Sequence, residues 1–540
     1  MALSITKGQG SWVLTPLPSR QQTLLGTLRV VNLVTAVCGA CLYLSPPLAQ
    51  AENSPRASAL LRRALTAQGG EGRLRAIHSV TWKMTGYRQE VEQSERPEGP
   101  YIHEFDETNE IHDYDRSRLR LSIDAEVPPA FKFSEITVAD LSAAMRIVGG
   151  HQREGNMEQV KALQERLALS PERLLLTAID SQSARLEPDT SLHSVPHRVI
   201  SFELNGSPVR IFLNAYSLLP TRVDYSGALA RRGFWAYTGD VTSSTWFSIW
   251  WLAKGGIHLP MAWTSESNGL PDRVLIARSV VIDGRVDEEG FQIPDNVRKK
   301  IANDPEGTKP ENVPLGTAQE PEHEIAPGIW FVAGSWNVTL IRQDDGVVIL
   351  EAPISSGYSA QVIAEARKLF PGARVKAVIT TSDSWPHLAG IREYVAHGIP
   401  VYALDLNQTI LKRTIATPHT REPDLLQKSP RKPIFHFVHG RQHLSSKRNP
   451  IDLIPLRGPT SERQMMAYFP EAKLLYGSDA FQINPDGSYN LPQTVDEVLQ
   501  AVDREHLAVS QYFMMHVSPA PWSNLHTVVE TASAKDSPQE

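Results

Sequence analysis

The sequence predicts an α+β protein built of two domains. The chain has 540 residues, more than one ordinary domain of about 100 to 250 residues holds. Residues 52–296 show strand-like runs with tight-turn signals and a few helices, which indicates an antiparallel sheet covered by helices. Residues 325–526 show short strands alternating with helices. Between them, residues 297–324 are rich in Pro, Glu, Lys and Asn, and we predict a linker that packs no core.

The composition is that of a globular protein, with 41% hydrophobic and 21% charged residues. The formal net charge is −6, whereas a nucleic-acid-binding protein normally presents a basic face. We therefore expect a small-molecule substrate or a hydrophobic ligand as the partner, and no nucleic acid. Residues 527–540 are predicted to be a disordered tail.

The first 51 residues have the features of a secretory signal peptide. Arg20 and Arg29 precede an apolar run, Val30–Leu44, that is too short to span a bilayer comfortably. Ala49-Gln50-Ala51 supplies the small residues that a signal peptidase requires. We predict cleavage after Ala51, a secreted or periplasmic protein, and no stable membrane span after cleavage.

Two alternatives to cleavage stay open. The segment could be kept as a membrane anchor, although Pro46 and Pro47 interrupt any longer helix. Cys41 could instead accept a lipid, although Cys38 stands where such signals prefer Leu. Both cysteines of the chain lie in this segment, so the mature chain can form neither a disulfide nor a thiolate metal site.

The first domain begins with a helix and continues mainly as strands. Ser54 caps the helix, Pro55 opens it, and Gly69-Gly70 ends it. Asn205-Gly206 is a strong hairpin signal because both residues tolerate positive φ. The further predicted strands are 79–87, 118–123, 199–204, 209–213, 246–251, 257–263 and 274–282. The further predicted helices are 138–148, 157–169 and 170–179.

The end of this domain resembles the half-barrel of periplasmic lipoprotein carriers. The resemblance rests on the turn Gly256–Pro260, the strand pair that follows, and Phe291–Pro294. It implies an apolar groove for an acyl chain or another hydrophobic ligand. The alternative is that the aromatic residues Trp246, Phe247, Trp250 and Trp251 are plain core and cover residues.

The second domain is predicted to contain two runs of strands and helices. The predicted strands are 328–332, 337–343, 347–351, 375–379, 400–404, 433–440, 451–456, 465–469 and 512–516. The predicted helices are 359–370, 388–397, 407–415 and 494–505, the last opening with a capping box from Thr494 to Glu497.

The loop Thr380–His387 is the predicted centre of the chemistry. It leaves the buried strand Val375–Ile379 and enters a helix, and α/β proteins commonly place their functional residues on such strand-exit loops. The loop resembles the metallo-β-lactamase motif His-x-His-x-Asp-His-x-Gly-Gly. The motif positions carry, in order, Ser382, Ser384, Pro386, His387 and Ala389-Gly390.

The rest of the domain is similar to the αββα sandwich of the metallo-β-lactamase superfamily. The opening strand Gly328–Val332 and the order of strands and helices carry this resemblance. Ser461 stands where a metal-binding histidine is expected, whereas Asp479 and His516 match later metal ligands of the superfamily.

By this resemblance, His387, Asp479 and His516 are the candidate metal ligands. They would hold one zinc or another divalent ion, and the alternative is that no metal is bound. Asp479 would also bridge or orient catalytic groups. Asp383 lies one position out of register, and is either a ligand or general base or a loop carboxylate that accepts backbone hydrogen bonds.

Two functions from different classes follow. The first is a secreted metal-dependent hydrolase of an ester, amide or thioester, with Asp383 and Asp479 as catalytic residues and a metal site that departs from the superfamily pattern. The second is a non-catalytic envelope protein whose first domain binds a hydrophobic ligand or a partner. A bound metal ion distinguishes the first from the second.

Overall fold

The computed structural model describes residues 53–91, 96–127, 131–231, 239–307, 309, 312–317, 320–334, 336–480, 482–483 and 489–534. The predicted signal segment lies wholly outside these residues, and so do residues 535–540 of the predicted tail. Residues 527–533 of that tail are helical and Val528 is buried, contrary to the prediction of disorder. Contacts between residues group Ala51–Glu540 into one compact unit. The domain boundaries at residues 296 and 324 stay predictions. None of the described helices has the length and apolar composition needed to cross a bilayer.

The described helices fall into a group before residue 304 and a group after it. They are α1 (Pro55–Gln68), α2 (Glu71–Arg75), α3 (Met157–Ala168), α4 (Leu174–Asp180), α5 (Asp295–Asn303), α6 (Ser356–Leu369), α7 (Trp385–Leu388), α8 (Ile391–Ala396), α9 (Gln408–Ala416), α10 (Leu425–Lys428), α11 (Pro492–Arg504) and α12 (Ser523–Ser533). Ser54 caps α1 through its side chain, as predicted.

The described strands of the first half are β1 (Ser79–Gln89), β2 (His103–Asp113), β3 (Arg118–Val127), β4 (Phe131–Ala139), β5 (Ala144–Val148), β6 (His151–Glu154), β7 (Arg185–Leu192), β8 (Val195–Leu204), β9 (Ser207–Asn214), β10 (Pro220–Tyr225), β11 (Ser243–Ala253), β12 (Ile257–Ser267) and β13 (Leu270–Ile282).

The described strands of the second half are β14 (His323–Ala326), β15 (Ile329–Val332), β16 (Val338–Gln343), β17 (Gly346–Leu350), β18 (Val375–Thr380), β19 (Val401–Leu404), β20 (Phe435–Val438), β21 (Gln442–Leu444), β22 (Ile451–Pro455), β23 (Met465–Phe469), β24 (Leu474–Tyr476), β25 (Gln482–Ile483), β26 (Tyr489–Asn490), β27 (Gln511–Met514) and β28 (Val517–Pro521).

The first thirteen strands form one antiparallel sheet. Its order is β6-β5-β4-β3-β2-β1-β13-β12-β11-β10-β9-β8-β7, so two meanders meet where β1 pairs with β13. The hairpin predicted at Asn205-Gly206 is confirmed, with Leu204 opposite Ser207. Leu61 of α1 and Leu175 of α4 lie in one core with the face of the sheet that includes Trp82 and Leu259.

The helix predicted over residues 138–148 is wrong. These residues end β4 and form β5, with Ala139 paired to Ala144. The Asp140 carboxylate accepts the backbone N–H groups of Ser142 at 2.8 Å and Ala143 at 3.0 Å. Asp stabilises a turn in this way. The turn therefore forms although the spacing of the apolar residues in 138–148 also suited a helix.

The prediction that residues 297–324 pack no core is wrong at their start. Helix α5 runs from Asp295 to Asn303, and its Val297 and Ile301 are buried against Val138 and Met145 of the large sheet. Two apolar residues four positions apart make one helical stripe, although the stretch as a whole is polar.

The second half contains two mixed sheets. The first has the order β14-β15-β16-β17-β18-β19-β20, and its strands from β17 to β20 are parallel. The second has the order β21-β22-β23-β24-β27-β28, with β24 and β27 parallel. The predicted change from an antiparallel first half to strands alternating with helices is thus confirmed.

Three hydrophobic cores show that these sheets and their helices form four layers. Helices α6, α8 and α9 cover the outer face of the first sheet. The two sheets pack face to face through residues such as Val348 of β17 and Ala467 of β23. Helices α11 and α12 cover the outer face of the second sheet. The chain is therefore an α+β protein whose second half is the predicted αββα sandwich.

Candidate active site

Hydrogen bonds and a short helix hold loop residues 381–387 in place after the end of β18. The Thr381 carbonyl accepts the backbone N–H of Met465 at 2.9 Å, which ties the loop to β23. The Thr381 hydroxyl lies 2.8 Å from the Ser478 hydroxyl. Trp385 then opens the short helix α7, with Pro386 at its second position. These contacts carry His387 into the interior between the two sheets.

His387 is fully buried and held by a carboxylate. Its Nδ1 lies 3.0 Å from an oxygen of Glu351, and Glu351 also accepts a hydrogen bond from the Thr381 hydroxyl. Its Nε2 has no hydrogen-bond partner and lies 3.8 Å from Oδ2 of Asp479. A histidine whose Nδ1 is oriented by a carboxylate presents Nε2 as a ligand or a base.

Asp479 is the residue at which the predicted ligands meet. It follows β24 and Ser478, whose carbonyl accepts the Met515 N–H at 2.9 Å. His516 comes directly after Met515, and its Nε2 lies 3.4 Å from Oδ1 of Asp479. Asp479 therefore contacts both His387 and His516, which come from loops that are distant in sequence.

The charges in this site reinforce each other. Burial disfavours the charged imidazole of His387, but the carboxylates of Glu351 and Asp479 raise its pKa to about 10. Burial likewise disfavours the charged form of Asp479, yet His387 and His516 lower its pKa. A buried imidazolium between two carboxylates is the state that these contacts favour without a metal ion.

Asp383 lies in the same loop and has a different environment. It is 7% exposed, its Oδ2 has no hydrogen-bond partner, and its Oδ1 accepts a long 3.4 Å bond from Ser382. Burial raises its pKa to about 7, against the opposing influence of Arg463 and His387. A carboxyl group with this pKa exchanges protons near neutral pH.

Ser461 stands where a metal-binding histidine is expected, but its hydroxyl is hydrogen-bonded to Glu497 instead. Its hydroxyl and its N–H both donate to Oε2 of Glu497, the N–H at 2.9 Å. Glu497 also accepts the N–H of Thr460 at 3.0 Å. The predicted capping box of Thr494 and Glu497 is therefore wrong, because Glu497 binds this turn and α11 begins at Pro492.

Glu351, Thr381 and Ser478 are site residues that the sequence analysis did not single out. Glu351 ends the apolar run of β17 and is fully buried. A carboxylate that directly follows a buried strand is a signal that could have identified it, since such a group requires a partner. No comparable sequence signal marks the two hydroxyl residues.

The donor groups are chemically suited to holding a metal ion, but they do not converge on one point. Imidazole and carboxylate suit zinc and other divalent ions, and Nε2 of His387 and Oδ1 of Asp479 have no hydrogen-bond partner. Two ligands about 2.1 Å from one tetrahedral ion lie about 3.4 Å apart, close to the observed separations. The side chains do not converge closely enough, however. Among the described residues, no group of three or more His, Cys, Asp or Glu side chains could hold an ion as it stands.

Fold and site together define an α+β protein with a metallo-β-lactamase-like sandwich and a His–Asp–His cluster in which His387 is buried and Asp479 and His516 are partly exposed. Solved structures similar to the chain belong to the metallo-β-lactamase fold. A metallo-β-lactamase from Pontibacter korlensis is 12% identical, covering 41% of this chain and 100% of its own, with a TM-score of 0.32. The metallo-β-lactamase FIM-1 from Pseudomonas aeruginosa, solved in a mono-zinc form, is 15% identical, covering 42% and 100%, with a TM-score of 0.32.

A stereoselective inverting sec-alkylsulfatase from Pseudomonas sp. is 14% identical, covering 39% of this chain and 40% of its own, with a TM-score of 0.30. No protein-family model and no curated protein matches the chain. At these scores the fold class rests on the layers described above. The resemblance of residues 52–296 to lipoprotein carriers has no support among these structures and stays a prediction.

Proposed function

We propose that the protein is a metal-dependent hydrolase of an ester, amide or thioester. The observation that supports this proposal most directly is the position of Asp479, 3.8 Å from His387 and 3.4 Å from His516. These three residues would hold one divalent ion, zinc being the first candidate. Because they do not converge as they stand, binding would draw both imidazoles towards Asp479.

The chain's own residues have distinct roles in this proposal. Glu351 fixes the Nδ1 of His387, so that Nε2 stays directed at Asp479. Asp383 is assigned as the general base because it is a buried carboxylate of the same loop whose Oδ2 has no hydrogen-bond partner, and burial raises its pKa to about 7. A bound divalent ion would supply Lewis acidity and lower the pKa of nearby water. We also propose secretion or a periplasmic location, supported by the apolar run Val30–Leu44.

The experiment is metal analysis of the purified protein. We expect about one divalent ion per chain in the unmodified protein and less than about 0.2 in the variants His387→Ala and His516→Ala. The matched control is His439→Ala, because His439 is exposed and pairs with Asp405 at 3.0 Å. A protein that takes up no ion from buffered zinc, or whose ion survives both substitutions, contradicts the proposal.

The second candidate is the non-catalytic binding protein. It is favoured by a cavity in the first half of the chain, lined by Trp82, Phe247 and Trp263 among others. Under this candidate the purified protein binds no ion and the His387 cluster is only a buried ion pair. Metal content therefore separates the two candidates.

A further inference from the structure

A cavity of about 180 Å³ lies in the first half of the chain, between the large sheet and the segment that follows α3. Its walls are mainly apolar. The apolar residues that carry the argument are Trp82, Met84, Phe247, Trp263 and Leu275. Trp82 and Trp263 meet edge to face with ring centroids 4.9 Å apart. Such walls favour a flat aromatic ligand, since rings pack by offset and edge contacts.

The charged residues at the cavity are already paired with each other. Arg166 donates two hydrogen bonds of 2.6 Å to Glu110. His112 lies between Glu110 at 2.8 Å and Glu172 at 2.7 Å. The positive and negative charges of these residues therefore balance. A charged ligand would find no unpaired charge among them to bind.

Two polar groups at the cavity, Arg273 and the hydroxyl of Tyr225, have a buried atom without a hydrogen-bond partner, and only that of Arg273 is charged. Arg273 lines the cavity and donates from Nη2 to Asp106 at 2.6 Å, whereas its Nε has no hydrogen-bond partner. A buried donor without a partner is destabilising, and an acceptor on a ligand would satisfy it. The cavity thus offers apolar walls, one charged donor and one neutral hydroxyl.

We propose that this cavity binds a compact, neutral aromatic molecule with a hydrogen-bond acceptor. The ring would pack against Trp263 and Phe247, and the acceptor would bind the Nε–H of Arg273. An apolar cavity of about 150 Å³ holds benzene, so 180 Å³ holds a ring with a short substituent and excludes a long acyl chain. The site is independent of the proposed hydrolase site and uses none of its residues.

The test compares two probes of nearly equal shape on the full chain. Acetophenone carries a carbonyl acceptor, whereas ethylbenzene carries none. We expect acetophenone to quench tryptophan fluorescence with a Kd about tenfold lower than that of ethylbenzene, as one hydrogen bond to a charged donor implies. Equal affinities, or tighter binding of palmitate than of either probe, would overturn the proposal.

Two substitutions locate the binding. Arg273→Lys keeps the charge beside Asp106 and removes Nε, so it should reduce the preference for acetophenone to less than about twofold and leave ethylbenzene unchanged. Arg278→Lys is the control, because Arg278 lies on the same strand and is exposed. Thr245→Trp fills the cavity and should abolish binding of both probes. A preference that survives Arg273→Lys, or probes that still bind Thr245→Trp, would overturn the assignment.

Discussion

Glu351 is the residue that organises the candidate site. Its backbone has φ +78°, in the left-handed region that residues other than glycine occupy at a cost of about 1 kcal/mol or more. Its side chain is fully buried and contacts His387 and Thr381. A strained, buried carboxylate persists only where its surroundings fix it. The contact with His387 is the interaction that does so here.

We predict that His387→Ala lowers the free energy of unfolding by about 3 to 5 kcal/mol in metal-free protein. Removing one partner of a buried ion pair leaves the other as an uncompensated charge, here Glu351. Urea denaturation measures the change. Adding Glu351→Gln to the His387→Ala variant should restore part of the loss, and a loss below about 1 kcal/mol would contradict the buried ion pair.

Asp383 gives a prediction about pH. Burial raises the pKa of Asp383 in the folded state to about 7, above the unfolded value of about 3.9. In the folded state Asp383 therefore keeps its proton to a higher pH. Between these values the folded state binds more protons, and stability therefore falls as pH rises from about 4 to 7. A shift of about three units corresponds to at most about 4 kcal/mol.

Replacing Asp383 with Asn removes that titration. We expect Asp383→Asn to be more stable than the unmodified protein at pH 8 and to differ little at pH 4, as thermal melts at both values would show. Asp304→Asn, at the exposed end of α5, serves as the control. Equal melting temperatures at pH 8 would show that Asp383 ionises without cost.

At the residue scale, the sequence indicated the three residues of the cluster but not the roles of Glu351 and Glu497, which hold the surrounding structure in place. His387, Asp479 and His516 could be placed by spacing from a known motif, and the structure brings the histidines to Asp479. Their role as metal ligands stays a prediction. Glu351 was missed and Glu497 was assigned to a capping box, because the contacts of both join residues far apart in sequence. Periodicity within one element does not reveal such contacts.

Helix α11 shows how one element fixes a loop of the site. Its Glu497 accepts hydrogen bonds from both the backbone and the hydroxyls of Thr460 and Ser461. A Cβ at Gly458 would lie 1.9 Å from Oε2 of Glu497, so this turn approaches the helix too closely for a larger residue. Glu497 therefore links the helix to the turn.

We predict that Glu497→Ala destabilises the protein by about 2 to 4 kcal/mol, because several buried donors lose their acceptor. Chemical denaturation measures this loss, and hydrogen exchange of the Thr460 and Ser461 amides should accelerate. Gln500→Ala on the same helix is the control, since Gln500 is exposed and bonds only Asp496 among the contacts described. Unchanged exchange at both amides would contradict this role.

At the element scale, the strands and helices with strong local signals were predictable, whereas several others, among them β5 and α5, were not. The hairpin β8–β9 and the helix α1 carry their own turn and cap residues, so local sequence decided them. The strand β5 and the helix α5 depend on packing against each other through Met145 and Val297. That contact spans about 150 positions, and only the folded chain supplies it.

The two halves of the molecule are joined by charged loops. Asp240, between β10 and β11, accepts from the Thr420 hydroxyl at 2.5 Å and from the N–H groups of Thr420 at 2.9 Å and Arg421 at 3.2 Å. Glu98, between β1 and β2, accepts from Arg463 at 2.9 Å. Arg463 also influences Asp383 electrostatically. The first half therefore reaches the neighbourhood of the candidate site.

We predict that the Asp240 contact couples the two halves energetically. A double-mutant cycle of Asp240→Ala and Thr420→Ala, measured by denaturation, should give a coupling energy of about 1 kcal/mol. Asp224→Ala with Thr420→Ala is the control cycle, because Asp224 bonds Arg222 and Ser244 within the large sheet. Additive effects in the first cycle would show that the loops only lie side by side.

The open ends of the large sheet have a consequence for self-association. Its outermost described strands are β6 and β7, and an unpaired edge strand is a template for aggregation. The exposed β6 reads His-Gln-Arg-Glu, and β7 carries Arg185, Glu187, Pro188 and Asp189. Charges and a proline oppose the addition of a fourteenth strand from another molecule. Growth into fibrils is thus discouraged at both borders.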